Sequence, residues 1–275
     1  MKAGGFHPHL ASLPDWRARA VVARNFMVWK RNWRTAFLPP AMEPVIYFLA
    51  FGLGLGSQVG SIVHEGRAVP YATWIAPGLV AYGAFATAYY EALYGSYVRM
   101  FYQKTWDGIL ATQVEVHHIA WGEVLWAGVR SAMNAGVVTV VLAIGHATGA
   151  VELQWQWLPL LPIIAFVAAW TFASFALIFT ALVPSIDHMN YAVFLVGVPL
   201  SFTSNTYFPV DTAWPWVARL MQVNPVYHMA GLFRALLVGG DPWRPLALLV
   251  LTAGVGLVVA ATVAQKLIRR RVIGD

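Results

Sequence analysis

The chain has 275 residues, of which 59% are hydrophobic and only 11% are charged, whereas a soluble domain usually carries about 25% charged residues. This composition excludes an ordinary soluble protein and predicts a single, all-α domain integral to a membrane. The formal net charge of +6 comes mostly from Lys and Arg beside apolar segments, which indicates anionic lipid rather than nucleic acid as the nearer partner.

Several chemistries are excluded by residues that the sequence lacks. There is no cysteine, so disulfides, thiolate nucleophiles and thiolate metal ligands are excluded. The eight histidines have no metal-site spacing, and no HExxH motif occurs. The phosphate-binding GxxxxGK[ST] loop is also missing, so any ATP hydrolysis that drives this protein is expected in a separate subunit.

The first predicted element is an amphipathic helix over residues 14–37, too polar to span and suited to the membrane interface. Its apolar face is expected to carry Val22, Phe26, Trp29, Trp33 and Phe37, and its basic face Arg17, Arg24 and Arg31. A basic flank of the first span that happens to be helical is the alternative. No removable signal peptide is expected, because no basic start followed by an apolar segment and a cleavage pattern opens the chain.

Apolar runs of roughly 20 residues predict about six membrane spans. We place them at 41–62, 70–98, 119–148, 157–183, 188–206 and 244–266. Most Lys and Arg near the span ends fall on one side, which predicts that both termini are cytoplasmic and that the span count is even.

The connection at 103–116, between the second and third spans, is predicted to hold a short cytoplasmic helix of two or three turns. Thr105 is the expected N-cap and Asp107 the acid in the first turn. A soluble partner could push on such a helix; alternatively, it only closes the hairpin between two spans.

Residues 211–239, between the fifth and sixth spans, are predicted to form a re-entrant pair of short outer helices. Asp211 or Thr212 can cap the first, and Asn224 followed by Pro225 opens the second, which ends near Gly239. Each helix is too short to span but apolar enough to be buried, so a pair that dips into the outer leaflet fits both facts. A hairpin lying on the membrane surface is the alternative.

Two ionisable residues fall inside predicted spans, where charges are costly and usually functional. Glu91 and Arg130 lie at similar depth in neighbouring spans, which predicts an ion pair. By contrast, Glu43, Arg99 and Glu123 are expected near the inner boundary, where their side chains can reach water.

Six segments resemble the type-2 ABC exporter permeases: RNFMVWKRNW, EPVIYFLAFGLGLG, YATWIAPGLVAYGAFATAYYEALYGSYVRM, KTWDGILATQ, GEVLWA and TYFPVDTAWPWVARLMQVNPVYHMAGLFRALLVG. The similarity runs in order over nearly the whole chain and is strongest to the nodulation protein J branch, the permeases of lipo-oligosaccharide export. It implies a six-span permease of a bacterial inner membrane that acts as a homodimer with two copies of a separate ATPase. ATP and Mg would bind to that ATPase, and this chain would bind membrane lipids but no nucleic acid.

The resemblance also implies roles for individual residues. The family's interfacial connecting helix corresponds to 14–37. Its coupling helix, which sits in a cleft of the ATPase, corresponds to Thr105, Trp106, Asp107, Gly108, Ile109 and on to Gln113. Its outer gate corresponds to Phe208, Pro209, Asp211, Asn224, Pro225, Tyr227, His228 and Arg234, here with the additional Trp214 and Trp216.

The expected function is therefore ATP-driven export of an amphiphile, such as a lipid-linked or oligosaccharide-containing lipid or a hydrophobic drug. Replacement of Trp106 or Asp107 by Ala is expected to lower export without preventing membrane insertion. An ion- or proton-coupled transporter or channel is the alternative, but the sequence shows neither the internal repeats nor the several intramembrane acids typical of that class. A membrane-embedded enzyme is a third hypothesis, with few clustered polar residues to support it.

Overall fold

The computed structural model describes residues 15–209 and 214–274, most of which are helical. The α-helices are α1 Ala18–Arg31, α2 Trp33–Tyr47, α3 Gly56–Val59, α4 Tyr71–Tyr90, α5 Thr105–Leu110, α6 Val116–Ala147, α7 Leu160–Leu182, α8 Met189–Ala192, α9 Val198–Phe202, α10 Pro215–Val223, α11 Pro225–Leu237 and α12 Trp243–Ile273. Wider π-helical segments at Phe48–Leu55, Glu91–Gly95, Val98–Tyr102 and Val193–Gly197, and 3₁₀ turns at Trp155–Trp157 and Ile186–His188, extend or connect them. Strands β1 Ser61–His64 and β2 Arg67–Pro70 form an antiparallel hairpin.

Four of the described helical segments are long and apolar enough to cross a membrane. They are Met42–Val59, Val116–Ala147, Leu160–Leu182 and Trp243–Ile273. They overlap the predicted first, third, fourth and sixth spans. The predicted second and fifth spans, 70–98 and 188–206, fall on α4 with its π-helical extension and on the broken helix from Ile186 to Phe202. A count of six spans therefore stays a prediction.

Helix α4 forms the centre of the bundle, packed against α6, α7 and α11. Small residues allow this close approach: a methyl group added at Gly83 would lie 2.7 Å from both Asn134 Oδ1 and Pro44 Cγ. Side-chain hydrogen bonds link the helices as well, since the Ser131 hydroxyl of α6 donates to the Ala84 carbonyl oxygen at 2.9 Å.

The outer helices of the bundle leave apolar side chains exposed. Leu38, Met42, Ile46 and Leu49 on the segment from α2 onward are exposed, as are Val250, Leu251, Val255 and Val259 on α12. Faces of this kind suit lipid or another transmembrane subunit rather than water.

The predicted helix at 14–37 is divided in the structure. Helix α1 ends at Arg31, Asn32 leaves helical geometry with φ −118° and ψ 26°, and α2 begins at Trp33 and continues toward the first span. The local reason is that the backbone N–H of Asn32 closes α1 on the Trp29 carbonyl oxygen at 3.0 Å, while its own carbonyl accepts from the Thr35 hydroxyl at 3.1 Å. Trp33 therefore belongs to the following helix.

The β1–β2 hairpin was not predicted from the sequence, since Ser61 and Ile62 fall at the end of the predicted first span, 41–62. The turn has two consecutive positive φ angles, 48° at Glu65 and 76° at Gly66, which matches the twist of a tight hairpin. Only the Gly of this pair is a usual turn residue, so the sequence signal is weak.

Candidate functional site

A short exposed helix and a buried charge network meet at one end of the bundle. Helix α5 begins at Thr105 and is preceded by Lys104 in the left-handed conformation, with φ 50° and ψ 27°. Thr105 is therefore the first helical residue and not the predicted N-cap, and α5 is shorter than the predicted two or three turns. Asp107 and Gly108 face outward, and a methyl group added at Gly108 would meet nothing within 4 Å.

Trp106 points in the opposite direction, into the protein. Its side chain is 1% exposed, and its indole N–H donates to Glu123 Oε1 at 3.2 Å. Of the residues that the family resemblance assigns to partner contact, Asp107 and Gly108 present a free outer surface, Ile109 is half-buried, and Trp106 anchors α5 instead.

Glu123 of α6 is the acceptor on which the network converges. The guanidinium of Arg99 donates to both of its carboxylate oxygens, with Nε 3.0 Å from Oε1 and Nη2 2.5 Å from Oε2. The Ser96 hydroxyl donates to Oε2 at 3.1 Å, and the Asn25 amide donates to the same oxygen at 3.5 Å. Because Glu123 is 1% exposed, the expectation that its side chain reaches water is wrong. A buried carboxylate needs these donors in place of water.

The structure brings Glu91 and Arg130 together, as the sequence predicts, but within this larger network. Arg130 Nε lies 3.4 Å from Glu91 Oε2. Arg99 is the closer partner, with Nη1 3.0 Å from Glu91 Oε1, and the Trp126 indole N–H donates to the same oxygen at 3.0 Å. Arg99 therefore bridges Glu91 and Glu123, and its expected contact with water is wrong as well, since its side chain is only 12% exposed.

Helix α1 packs on α6 beside this network. Val21 lies over Gly122, where an added methyl group would come within 2.4 Å of the Val21 Cβ. The packed face carries Ala18, Val21 and Asn25, whereas Phe26 and Trp33 of the predicted apolar face are 40% and 45% exposed. Trp29 is half-buried, and the side chain of Phe37 lies outside those described.

Two arginines of the predicted basic face donate hydrogen bonds to the 103–116 connection. Arg24 Nη2 donates to the Thr105 hydroxyl at 3.1 Å, and Arg17 Nη1 donates to the Gln113 carbonyl oxygen at 3.4 Å. Arg31 is exposed. Helix α1 and the residue just before it thus contact both ends of the connection that holds α5.

A second contact fixes the start of α1 to the start of α6. Asp15 Oδ2 lies 3.2 Å from His118 Nε2, and the other ring nitrogen of His118 accepts from the Glu115 backbone N–H at 3.0 Å. Desolvation raises the pKa of Asp15, but the hydrogen bonds from His118 and from the Trp16 backbone N–H, with the nearby positive charges, hold that pKa below its usual value.

At the opposite end of the bundle, α10 and α11 form the short helix pair that the sequence predicts at 211–239. Asn224 caps α11, because its side-chain oxygen accepts from the Val226 N–H at 2.9 Å, and Pro225 is the first helical residue. The Asn224 amide also donates to the Leu200 carbonyl oxygen at 2.8 Å, which ties the helix start to α9. Helix α11 is largely buried, whereas α10 is exposed apart from a few side chains such as Met221.

Arg234 is buried in α11 and fastens it to α4. Its guanidinium stacks on the Trp74 ring, 3.9 Å from the centroid, while Nε donates to the Trp74 carbonyl oxygen at 3.1 Å. Nη2 donates to the carbonyl oxygens of Asn205 and Thr206. Arg234 therefore has a structural role, since it links α11 to α4 and to the backbone of Asn205 and Thr206.

The other predicted gate residues are divided between the interior and the surface. His228 is buried, with Nε2 2.8 Å from the Gln222 carbonyl oxygen, and Tyr227 is half-buried. Phe208, Pro209, Trp214 and Trp216 are exposed, and the two tryptophan rings stack with centroids 6.1 Å apart. Asp211 lies outside the described residues.

The described residues 15–209 and 214–274 contain no group of three or more His, Asp or Glu side chains able to hold a metal ion. Asn25, Ser96 and Trp126 also belong to the charge network, although the sequence did not predict their part in it. Uncharged side chains in apolar segments give no periodic signal, so only their spacing from Glu91 and Glu123 could have suggested them.

Comparison with known proteins gives a consistent assignment. The family model described as "ABC-2 type transporter" matches residues 17–238. Nodulation protein J of Rhizobium leguminosarum bv. viciae is 32% identical over 96% of this chain and 99% of its own length. Nodulation protein J of Rhizobium leguminosarum bv. trifolii is 34% identical over 80% of both chains. The inner membrane transport permease YadH of Escherichia coli is 22% identical over 78% of this chain and 80% of its own length.

Proposed function

Because the chain belongs to the ABC-2 type transporter family, we propose that it forms the membrane pathway of an ATP-driven exporter. The chain is a transport permease and not an enzyme. In the proposal, two copies form a homodimer that works with two copies of a separate cytoplasmic ATPase, which binds ATP and Mg. The substrate is an amphiphile moved out of the cytoplasm or the inner leaflet.

The position of basic residues supports a location in a bacterial inner membrane with both termini in the cytoplasm. Lys266, Arg269 and Arg270 are exposed at the end of α12, and Arg19 and Arg31 are exposed on α1. Cytoplasmic flanks of spans are enriched in Lys and Arg, which also attract anionic lipid.

The main support for the proposal is that α5 has one face exposed and the other attached to the bundle. Its outer face, with Asp107 and Gly108, is available to a partner, while Trp106 connects its inner face to Glu123 in the bundle. A push on α5 would therefore reach α6 directly, the end of α4 through Arg99, and α1 through Asn25. Rigid-body movement of packed elements is one of the known forms of allosteric change, and here it would carry the movement of α5 into the bundle.

The outer pair α10–α11 is the proposed gate. The ends of a re-entrant helix pair and the turn between its helices need protein cover for their unpaired backbone groups, and α11 is buried along most of its length. Helix α10 is more exposed, with Trp214 and Trp216 suited to the membrane interface. We therefore place α11 at membrane depth and α10 toward the surface.

The test replaces Asp107 by Ala and measures ATP-dependent transport of a fluorescent amphiphile in proteoliposomes that also contain the proposed partner ATPase. Because Asp107 is exposed, its loss should leave the unfolding temperature unchanged and lower transport by about tenfold, the effect of losing roughly 1.4 kcal/mol of coupling. Glu152→Ala, at an exposed position far along the chain, is the control.

Wild-type transport by Asp107→Ala would contradict the role of α5. Transport driven by an ion gradient without any ATPase would favour the secondary-transporter alternative.

A further inference from the structure

A cavity of about 480 Å³ opens between α2, α4 and α6, beside the charge network. It is lined by Pro39, Glu43, Pro44, Gly83, Ala86, Thr87, Tyr90, Glu91, Tyr94, Gly95 and Arg130. Its size is that of a small-molecule site, and it combines apolar walls with a few charged groups.

One charged side chain at the cavity has no oppositely charged partner among the described residues. Glu91 is paired with Arg99 and Arg130, and Arg99 also pairs with Glu123, so these two acids and two arginines offset one another. Glu43 stands apart from them. Among the described residues, no Lys, Arg or His nitrogen lies within 4.0 Å of its carboxylate, which accepts a hydrogen bond from the Tyr82 hydroxyl at 2.9 Å and also lies beside the Tyr47 hydroxyl.

Aromatic rings surround this unmatched carboxylate. The Tyr82 ring lies 6.0 Å from the Tyr47 ring and 5.7 Å from the Tyr207 ring, measured between centroids. Tyr90 and Tyr94 line the cavity itself. A carboxylate and neighbouring tyrosine rings can both attract a cation, the carboxylate through its charge and the rings through cation–π interaction.

The surface beside Glu43 is suited to an alkyl chain. Leu38, Met42 and Ile46, on the same segment as Glu43, are each more than 40% exposed. A ligand with its polar end in the cavity could lay an apolar tail along these side chains and continue into lipid.

We propose that the cavity binds the ammonium group of a cationic amphiphile, with Glu43 as the counter-ion. This inference rests on the proposed function in treating the cavity as part of the substrate path, but the binding itself needs no ATPase.

The experiment measures equilibrium binding of radiolabelled dodecyltrimethylammonium to the full chain in phosphatidylcholine nanodiscs by scintillation proximity. Unlabelled dodecyltrimethylammonium should displace it, whereas dodecyl sulfate, with the same chain and a negative head, should not. Glu43→Gln should weaken binding by about tenfold or more, because it removes the charge partner of a partly desolvated cation.

Two further variants separate charge from structure. The amide oxygen introduced by Glu43→Gln can still accept from the Tyr82 hydroxyl, so this variant keeps the local hydrogen bond. Tyr82→Phe, which removes that bond but keeps the aromatic ring and the carboxylate, should weaken binding less than Glu43→Gln does. Glu152→Gln makes the same chemical change at an exposed position and should bind as the wild type does.

Equal affinity in wild type and Glu43→Gln, or equal displacement by dodecyl sulfate, would overturn the proposal. So would the absence of saturable binding together with a dimer that dissociates in Glu43→Gln, since Glu43 would then face the second copy. If the chain binds the ammonium amphiphile through Glu43 but ATP does not drive transport, the binding site is supported and the proposed function is wrong.

Discussion

Glu123 shows how one buried carboxylate can join separate parts of the chain. Its partners Asn25, Ser96, Arg99 and Trp106 come from α1, from the extension of α4 and from α5. A carboxylate that is 1% exposed has no solvent to replace a lost donor, so each partner is held in place by the others.

Glu123→Gln should therefore reduce both stability and coupling. It leaves Arg99 with a neutral acceptor in place of a buried carboxylate, and breaking a buried ion pair costs about 3–5 kcal/mol. Denaturant unfolding in detergent measures the loss, and ATP-dependent transport in proteoliposomes measures coupling.

Glu152→Gln is the matched control, since it makes the same change on the surface. Unfolding and transport of Glu123→Gln at the control's level would show that the network is not needed to hold α5.

At the scale of whole elements, the packing of α1 on α6 depends on a glycine, which has no side chain. Gly122 leaves room for Val21, and the same contact brings Arg24 to Thr105 at the start of α5. Helix α1 is thus positioned by α6 and in turn contacts α5.

Gly122→Ala should shift α1 away from α5, because the new methyl group would lie 2.4 Å from Val21 Cβ. Overpacking of this kind typically costs about 1–3 kcal/mol. The chain has no cysteine, so Arg24→Cys with Thr105→Cys provides a clean pair for a short bifunctional maleimide. Cross-linking should fall in the Gly122→Ala background.

Gly136→Ala is the matched change in the same helix, since its added methyl group meets nothing within 4 Å. Equal cross-linking in both backgrounds would show that α1 is not set by the Gly122 contact.

Local signals predicted the elements that local interactions define. The Asn-Pro pair at 224–225 predicted the start of α11, and the apolar runs predicted the four long helices. The burial of Glu123 and Arg99 was not predicted. Their positions along the sequence place them near the end of a span, but do not show that neighbouring helices cover that end. The inward direction of Trp106 was missed for the same reason, since only the tertiary structure places Glu123 beneath it.

Across the whole molecule, the helix lengths bear on how many times the chain crosses the membrane. Helix α4 is not among the four segments that are long and apolar enough to cross a membrane, but nearly all of its residues are buried by protein, so it does not need a lipid-facing surface. Its length of about 30 Å matches the hydrocarbon core. The segment from Ile186 to Phe202 is about 25 Å long and exposes Tyr191, Phe194 and Leu195, as a lipid-facing or subunit-facing helix would.

These lengths favour six spans, and cysteine labelling can test that count against four. With the termini inside, six spans place Asp107 and Asp187 in the cytoplasm and Glu152 outside, whereas the four long helices alone would reverse all three. Each of these side chains is exposed, so Asp107→Cys, Asp187→Cys and Glu152→Cys should react with maleimide once the membrane is permeabilised. In intact spheroplasts, an impermeant maleimide should label only Glu152→Cys. Labelling at 107 and 187 but not at 152 would remove α4 and the Ile186–Phe202 segment from the spans, and α5 would then lie on the wrong side for a cytoplasmic ATPase.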